Sequence, residues 1–333
     1  MVEAFPRLNT ETDGHQSVQT SRVESVSSPL VPLSVTHIAL KNHKVAIVVM
    51  VPEMIVDVNT VAEYLAQNAA MPQVGKGHTT IVLVGSAILP TMRAVFDYLS
   101  DIGDSSNISL LLGGGIGHST HLLRAAIIAA FPIISAETIM DLPEARIFEK
   151  AMREQWPKLS AKVDSGEVRL LVEDRSTNCG ANATMAVSTM QADGLWPDKL
   201  VVVQDPTMMR RTMASFNHVY DSLQRQSGVL RSKIPVLDPW STFTPYLTIN
   251  DGSQAAQWDI SDYYGRNIAP SELWTMTRFL ELIVGEVDRL FDNADGYGPK
   301  GKGYIGHVDV PECVLKSWER LKEFGGGREA CRP

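Results

Sequence analysis

The sequence predicts an α/β protein with a doubly wound, mainly parallel sheet of about five strands. Four short apolar runs, each followed by a segment of helical character, predict strand–helix units: residues 79–85, 107–115, 168–174 and 199–205. A fifth run, at 233–238, is a further candidate strand. Continuous apolar strands are typical of a parallel sheet buried on both faces, and their alternation with helices favours βαβ crossovers. We therefore expect a Rossmann-like core over about residues 78–240.

The rest of the chain divides around this core. We expect a disordered tail, an N-terminal extension with a helix, the core and a C-terminal region, with the boundaries 1–30, 31–77, 78–250 and 251–333. The tail has few apolar residues to bury. Helical patterns at 142–156, in an excursion of the core at about 140–160, and at 271–291 predict a small helical subdomain over the loop face. The glycine-rich end predicts a β extension that includes a strand at 304–310.

Composition and charge narrow the class of function. Hydrophobic residues make up 44% of the 333 residues, which permits a sizeable core. The net charge of −8 disfavours a nucleic-acid partner, because phosphate binding needs a basic face. The longest apolar run near the start, 45–51, is far shorter than the ~20 residues that a spanning helix needs. We expect a cytoplasmic protein that takes a small-molecule substrate and binds no membrane, with a homodimer as an open alternative to the monomer.

Cysteine use agrees with a reducing compartment. Only Cys179, Cys313 and Cys331 occur, an odd and scattered set that does not suit a disulfide framework. No CxxC or CxxH spacing is present, so we predict no metal site of the structural zinc type.

Four loops are expected to form the ligand site. In doubly wound sheets, ligands bind beyond the carboxyl ends of the strands, where the strand order switches. The loops that follow the predicted strands are 85–91, 113–120, 173–182 and 204–211. Gly85 and Ser86 begin the first of them.

The second loop, GGGIGHST, is the sharpest local motif. Gly113, Gly115 and Gly117 have a GxGxG spacing, and glycines allow backbone N–H groups to approach a ligand closely. The following helix N-terminus favours negative charge. The motif is not GxGxxG, because His118 occupies the last glycine position. A tight turn in which Ser119 caps the helix is the competing interpretation.

The third and fourth loops contain polar residues that either have a structural role, such as capping a helix, or contact a ligand. In the third, Ser176 and Asn178 are either helix caps or donors to a ligand, and Glu173 is a candidate acceptor for ribose hydroxyls. In the fourth, Asp205 with a following proline is a standard helix start. Arg210 or Arg211 is either a clamp for a carboxylate or phosphate or a structural arginine.

Further candidates lie outside these loops. Glu144, like Glu137, follows the second strand–helix unit, near where a ribose-binding acid is expected. In the tail, Tyr297 is a candidate, and His307 and Asp309 share one face of a predicted strand. That pair is a base with its orienting partner, a metal pair or a structural hydrogen bond.

Long motifs in fixed order resemble the YdcF-like proteins of bacteria, within the family named domain of unknown function 218. They are GSAILPT, GGGIGHST, EARI, EDRSTNCGANA, VVVQDPTMMRRTMASF and DNADGYGPKGKGYIGHVDVP, spanning about residues 52–321. The sequence departs from the family pattern in its extension to about residue 51, in Ala181 where an acid is common, and in an insertion around 217–235.

The resemblance implies an α/β nucleotide-binding-type fold that binds S-adenosylmethionine, and no defined reaction. Transferred by motif, the implied ligand-lining positions are Gly85, Ser86, Gly114, Gly115, Gly117, His118, Ser119, Glu144, Ser176, Asn178, Asn182, Gln204, Asp205, Thr207, Arg210 and Arg211.

Three hypotheses of function follow. The first is an enzyme that uses S-adenosylmethionine, with an acid (Glu144, Glu173 or Asp205) near the sulfonium and an arginine on the carboxylate. Its candidate catalytic residues are His118, Asp205 and Glu144. The second is a phosphoester or phosphoanhydride hydrolase that uses the same glycine loop and arginines. The third is a sensor that binds a ligand without turnover.

Overall fold

The computed structural model describes residues 35–40, 43–48, 50–67, 70, 73–227, 234–250, 255–260, 265 and 268–325. The expected disordered tail, 1–30, lies outside the described residues. The strands are β1 (Val35–Leu40), β2 (His43–Val48), β3 (Thr79–Val84), β4 (Ile108–Gly113), β5 (Val168–Glu173), β6 (Lys199–Val203), β7 (Val236–Trp240), β8 (Leu247–Ile249) and β9 (Ala256–Trp258). The helices are α1 (Pro52–Ala66), α2 (Leu89–Asp101), α3 (Thr120–Ala130), α4 (Glu144–Gln155), α5 (Pro157–Asp164), α6 (Cys179–Ala192), α7 (Met209–Ser227), α8 (Met276–Leu290) and α9 (Glu312–Gly325).

A five-stranded parallel sheet forms the centre of the molecule, as the sequence predicts. Its strand order is β5-β4-β3-β6-β7, and every neighbouring pair is parallel. From β3 the chain builds outward through β4 and β5, then crosses back to add β6 and β7 on the other side. The order therefore switches between β3 and β6, where doubly wound sheets open a crevice for ligands. Two antiparallel hairpins, β1-β2 and β8-β9, are separate from this sheet.

Burial on both faces explains the continuous apolar strands. In β3, Ile81 and Leu83 pack into the core with α2, α3, α4 and α5, whereas Val82 and Val84 pack into a second core with α6 and α7. Because successive side chains of a strand point to opposite faces, both sets must be apolar.

The additional helical layer differs from the expected one. The 142–156 pattern forms α4, which covers one face of the sheet rather than belonging to a subdomain. A third core instead joins α8, which the sequence predicts, with α1 and α9. Arg320 of α9 donates to both carboxylate oxygens of Asp57 in α1, which ties this layer together.

The predicted strand at 304–310 is wrong, because this segment forms no strand and pairs with no strand among the residues that the structure describes. The backbone N–H groups of Tyr304 and Ile305 both donate to the carbonyl of Tyr297, which folds the segment into a turn. The chain then enters α9, a helix that was not predicted from the sequence. Within the part of the chain that the structure describes, no helix is both long and apolar enough to cross a membrane.

Candidate functional site

The first three predicted loops meet at the carboxyl edge of the sheet through backbone hydrogen bonds. Gly85 N–H donates to the carbonyl of Gly113 at 2.8 Å, and Gly114 N–H donates to that of Glu173 at 2.9 Å. Gly115 N–H donates to the carbonyl of Ser176 at 2.9 Å. These hydrogen bonds hold the three loops next to one another at the edge of the sheet where the parallel strands end.

Glu144 lies over the glycines of this surface. Its backbone N–H donates to the carbonyl of Gly115 at 3.1 Å, which fixes the start of α4 on the glycine loop. A side chain at Gly85 would collide with Glu144 Oε2, and one at Gly114 would lie 3.1 Å from both Oε2 and Cβ of Glu144. The glycines are thus needed for the approach of a carboxyl group from the same chain, a partner that the sequence did not reveal.

The carboxyl group of Glu144 is buried and hydrogen-bonded, and its pKa is raised. The residue is only 7% exposed. Oε1 accepts a hydrogen bond from the hydroxyl of Thr120 at 2.9 Å. Burial raises the pKa of Glu144, while the hydroxyls of Thr120 and Ser119 and the charge of Arg124 lower it by less. A buried acid with a raised pKa, at the ligand edge of a doubly wound sheet, is suited to hold a proton or to pair with a bound cation.

The carboxylate of Glu173 accepts hydrogen bonds from residues of the loop that follows it. Oε1 accepts from the backbone N–H groups of Arg175 and Ser176, at 2.8 and 2.9 Å, and Oε2 accepts from the Ser176 hydroxyl at 2.6 Å. The carboxylate is fully buried by these contacts. Its contact with a ribose stays a prediction, and such a contact has to compete with three hydrogen bonds inside the loop.

Asn178 acts as the N-cap of α6, which is the cap interpretation of this motif. Its side-chain oxygen accepts from Ala181 N–H at 3.0 Å. Asn182, in the first turn of α6, is half-buried. In the first loop, the hydroxyl oxygen of Ser86 accepts from Ile88 N–H at 3.0 Å, immediately before α2.

Asp205 is buried, and its carboxylate accepts a hydrogen bond from a tryptophan. Oδ1 accepts from the N–H and the hydroxyl of Thr207, and Oδ2 accepts from the indole N–H of Trp274 at 3.0 Å. The side chain of Gln204 accepts from Asp205 N–H at 2.7 Å. The structure corrects one detail here, since α7 begins at Met209 and the carboxylate stabilises the turn before it.

Burial raises the pKa of Asp205 to about 6, although its hydrogen bonds lower it and the nearby charge of Glu286 raises it further. The folded state then binds more protons than the unfolded state between about pH 4 and 6. The free energy of unfolding should therefore fall as pH rises through this window.

We expect the Asp205→Asn variant to lose the part of this pH dependence that comes from Asp205, which is on the order of 2 kcal/mol in the free energy of unfolding. Denaturant unfolding of both proteins at several pH values measures it. The wild-type free energy should decline from pH 4 to pH 6 relative to that of the variant, even if the variant is less stable throughout. Parallel curves for the two proteins would contradict the assigned pKa of Asp205.

The two arginines of the fourth loop diverge, as their positions on a helix require. Arg211 donates to both oxygens of Glu286, at 2.5 and 3.0 Å, and the two side chains are 4% and 3% exposed. Arg210 donates to the carbonyl of Tyr64 at 2.6 Å and stacks 3.8 Å from the centre of its ring. Both guanidinium groups thus make structural contacts, and the anion clamp stays a prediction without a contact in this structure to support it.

His118 and Ser119 are exposed at the tip of the glycine loop, next to exposed Ile116. The three predicted catalytic residues therefore occupy different environments. His118 faces solvent, Glu144 is buried over the glycines, and Asp205 is covered by Trp274.

Of the helices that begin at this edge, α4 has Glu144 in its first turn, whereas four others have no acidic residue there. They are α2, α3, α6 and α7, which follow β3, β4, β5 and β6. Helix N-termini carry partial positive charge, so these four helix ends favour a negatively charged ligand group.

The His307–Asp309 pair lies elsewhere. His307 Nε2 is 3.0 Å from Asp309, and Nδ1 is 3.6 Å from Asp292. These residues line a shallow cavity of about 380 Å³ that none of the four carboxyl-edge loops lines. Among the described residues, no three His, Cys, Asp or Glu side chains are grouped so as to hold a metal ion.

A comparison with models of known protein families found no match to this chain.

Proposed function

We propose that the carboxyl edge of the sheet binds S-adenosylmethionine and that the protein is an enzyme that transfers or cleaves a group of this cofactor. The observation that carries the proposal is the buried carboxyl of Glu144, held over Gly85 and Gly114 at the ends of two adjacent strands. The resemblance to the YdcF-like proteins motivates the choice of ligand.

The chemistry of Glu144 fits a sulfonium. Its raised pKa means that burial disfavours the charged carboxylate. A bound cation within reach would reverse this preference and hold the carboxylate ionised. The hydroxyls of Thr120 and Ser119 would then orient the charged group. S-adenosylmethionine supplies a cationic sulfur whose attached carbons are open to attack, so the protein's contribution is to orient the cofactor against an acceptor.

The opposite end of the cofactor carries a carboxylate. The four helix N-termini that lack first-turn acids offer backbone N–H groups and partial positive charge for it. This support does not depend on freeing Arg210 or Arg211 from the contacts that they make within the chain.

The same helix N-termini favour a second candidate, a phosphoester or phosphoanhydride hydrolase. A phosphate group would be received by the helix ends, and Glu144 would hold the proton that the reaction moves. Because this candidate needs no cation beside Glu144, a neutral carboxyl suits it.

Calorimetric titration of the protein with S-adenosylmethionine, followed by mass spectrometry of the mixture, separates the candidates. We expect saturable binding and a new product, the demethylated or otherwise cleaved cofactor. Binding without a product, in the presence of candidate acceptors, would favour the sensor. Absence of binding, together with release of phosphate from a generic phosphoester, would contradict the proposal and favour the hydrolase.

A further inference from the structure

The hydroxyl group of Thr120 lies between the glycine loop and the carboxyl group of Glu144. Its oxygen accepts a hydrogen bond from Gly117 N–H at 2.8 Å and lies 2.9 Å from Glu144 Oε1. Thr120 is only 1% exposed, so water has little access to these contacts. Among the described residues, this hydroxyl group has no third hydrogen-bond partner.

These two contacts fix the direction of the hydrogen bonds, because a backbone N–H can only donate. The oxygen of Thr120 therefore accepts from Gly117, and the single proton of the hydroxyl group is donated to Glu144 Oε1. In a neutral carboxyl group the carbonyl oxygen is the better acceptor. Oε1 is therefore the carbonyl oxygen of the neutral acid, and its proton lies on Oε2.

Oε2 is the oxygen of Glu144 that faces two strand ends. It lies where a side chain of Gly85 would be, and a Cβ added at Gly114 would be 3.1 Å from it. These glycines follow β3 and complete β4, which are neighbours in the sheet. Oε2 therefore lies at the carboxyl edge of the sheet, where doubly wound folds bind their ligands.

We propose that Thr120 is a positioning residue for Glu144: by binding Oε1, its hydroxyl group confines the proton of the neutral acid to Oε2 and leaves Oε2 to meet the charged group of a ligand. The hydroxyl group donates to the carboxyl group, so it also stabilises the ionised form that a cationic ligand needs. The assignment of the proton holds for any ligand at this edge, whereas the contact with a sulfonium rests on the proposed function.

Other groups near this carboxyl are left in place by substitutions of Thr120. Burial raises the pKa of Glu144, and the hydroxyl of Thr120 is the largest of the influences that lower it, ahead of the hydroxyl of Ser119 and the charge of Arg124. Asp174, in the third loop, is paired with an arginine of α4 at 2.8 Å. A variant of Thr120 therefore isolates the effect of one hydrogen bond on Glu144.

Infrared spectroscopy of the ligand-free protein tests the position of the proton. The C=O stretch of a protonated carboxyl group has a lower frequency when its carbonyl oxygen accepts a hydrogen bond. The band of neutral Glu144 is the one that Glu144→Gln lacks. We expect this band to move to higher frequency in Thr120→Val and to keep its frequency in Thr120→Ser.

Thr184→Val is the control for the infrared experiment. Thr184 is exposed on α6, and its hydroxyl group donates to a backbone carbonyl, so its loss should leave the band of Glu144 unchanged. A band that keeps its frequency in Thr120→Val as well would show that Oε1 is not the carbonyl oxygen and would overturn the assignment.

The affinities for S-adenosylmethionine and S-adenosylhomocysteine test the contact with a charged ligand. We expect Thr120→Val to reduce the wild-type preference for the cationic ligand about tenfold, which corresponds to the loss of one hydrogen bond to a charged group. Thr120→Ser, which keeps the hydroxyl group, should retain the preference. A general loss of stability would weaken the binding of both ligands alike and leave their ratio unchanged.

The outcomes distinguish this inference from the proposed function. If the wild type binds neither ligand, the proposed function fails, and the infrared result alone decides the role of Thr120. If the wild type prefers the cationic ligand and Thr120→Val keeps that preference, Thr120 does not position Glu144 for the ligand. Should Thr120→Val fail to fold, Thr120→Ala, which has a smaller side chain, is measured in its place.

Discussion

Replacing Glu286 by alanine is expected to lower the free energy of unfolding by about 3–5 kcal/mol. Glu286 neutralises Arg211 in a buried, two-point contact and also accepts from Arg289 at 3.2 Å. Without it, the guanidinium of Arg211 stays buried and loses its carboxylate. The cost is that of a buried charge that has lost this carboxylate, which is larger than the net contribution of the ion pair itself. Urea unfolding of both proteins measures the difference.

A matched control lies on the same helix. Arg278 and Glu281 approach to 3.8 Å, but their side chains are 51% and 61% exposed. Exposed pairs contribute about 0–1 kcal/mol, so Glu281→Ala should have little effect. The double variant Arg211→Met with Glu286→Leu should recover much of the stability that Glu286→Ala loses, because no charge is left buried. Equal effects of Glu286→Ala and Glu281→Ala would contradict the structural role assigned to Arg211.

Gly115→Ala is the second substitution for which we expect a large effect. The added methyl group would meet the carbonyl oxygen of Ser176, and it would lie 3.0 Å from the carbonyl carbon of Arg175. Since these atoms belong to the backbone, relief requires the second and third loops to move apart. We expect a loss of about 1–3 kcal/mol in the free energy of unfolding.

Gly103→Ala is the control for this substitution, because an added Cβ there meets no atom within 4 Å. Its expected effect is neutral or slightly stabilising, since alanine reduces the freedom of the unfolded chain. A Gly115→Ala protein as stable as the Gly103→Ala protein would show that the two loops are not packed as described.

The sheet could be predicted from sequence because its signal is local. The run 81–84 in β3 is apolar at every position, and burial on both faces of the sheet accounts for this. The cap at Asn178 is equally local, since donor and acceptor are three residues apart. The predicted strand at 304–310 failed because a strand needs a neighbour, and residue pattern alone does not supply one.

The partners of the site residues could not be predicted, because they are distant in sequence. Glu286 lies 75 residues from Arg211, and Trp274 lies 69 residues from Asp205. No periodicity links such pairs, so the arginines were equally compatible with a ligand clamp and an internal ion pair. The helix α9 had a readable signal, since Val314, Trp318 and Leu321 recur at helical spacing on its buried face.

The most direct test of the central claim compares the affinities of the wild type and Glu144→Gln for S-adenosylmethionine and S-adenosylhomocysteine, which differ in the charge on sulfur. If Glu144 faces the sulfonium, the wild type prefers the cationic ligand, and Glu144→Gln reduces that preference about tenfold or more while leaving the neutral ligand little affected. Glu154→Gln, an exposed position on the same helix, is the control that keeps the preference. A wild type that binds neither ligand, or a Glu144→Gln protein with an unchanged preference, would contradict the account.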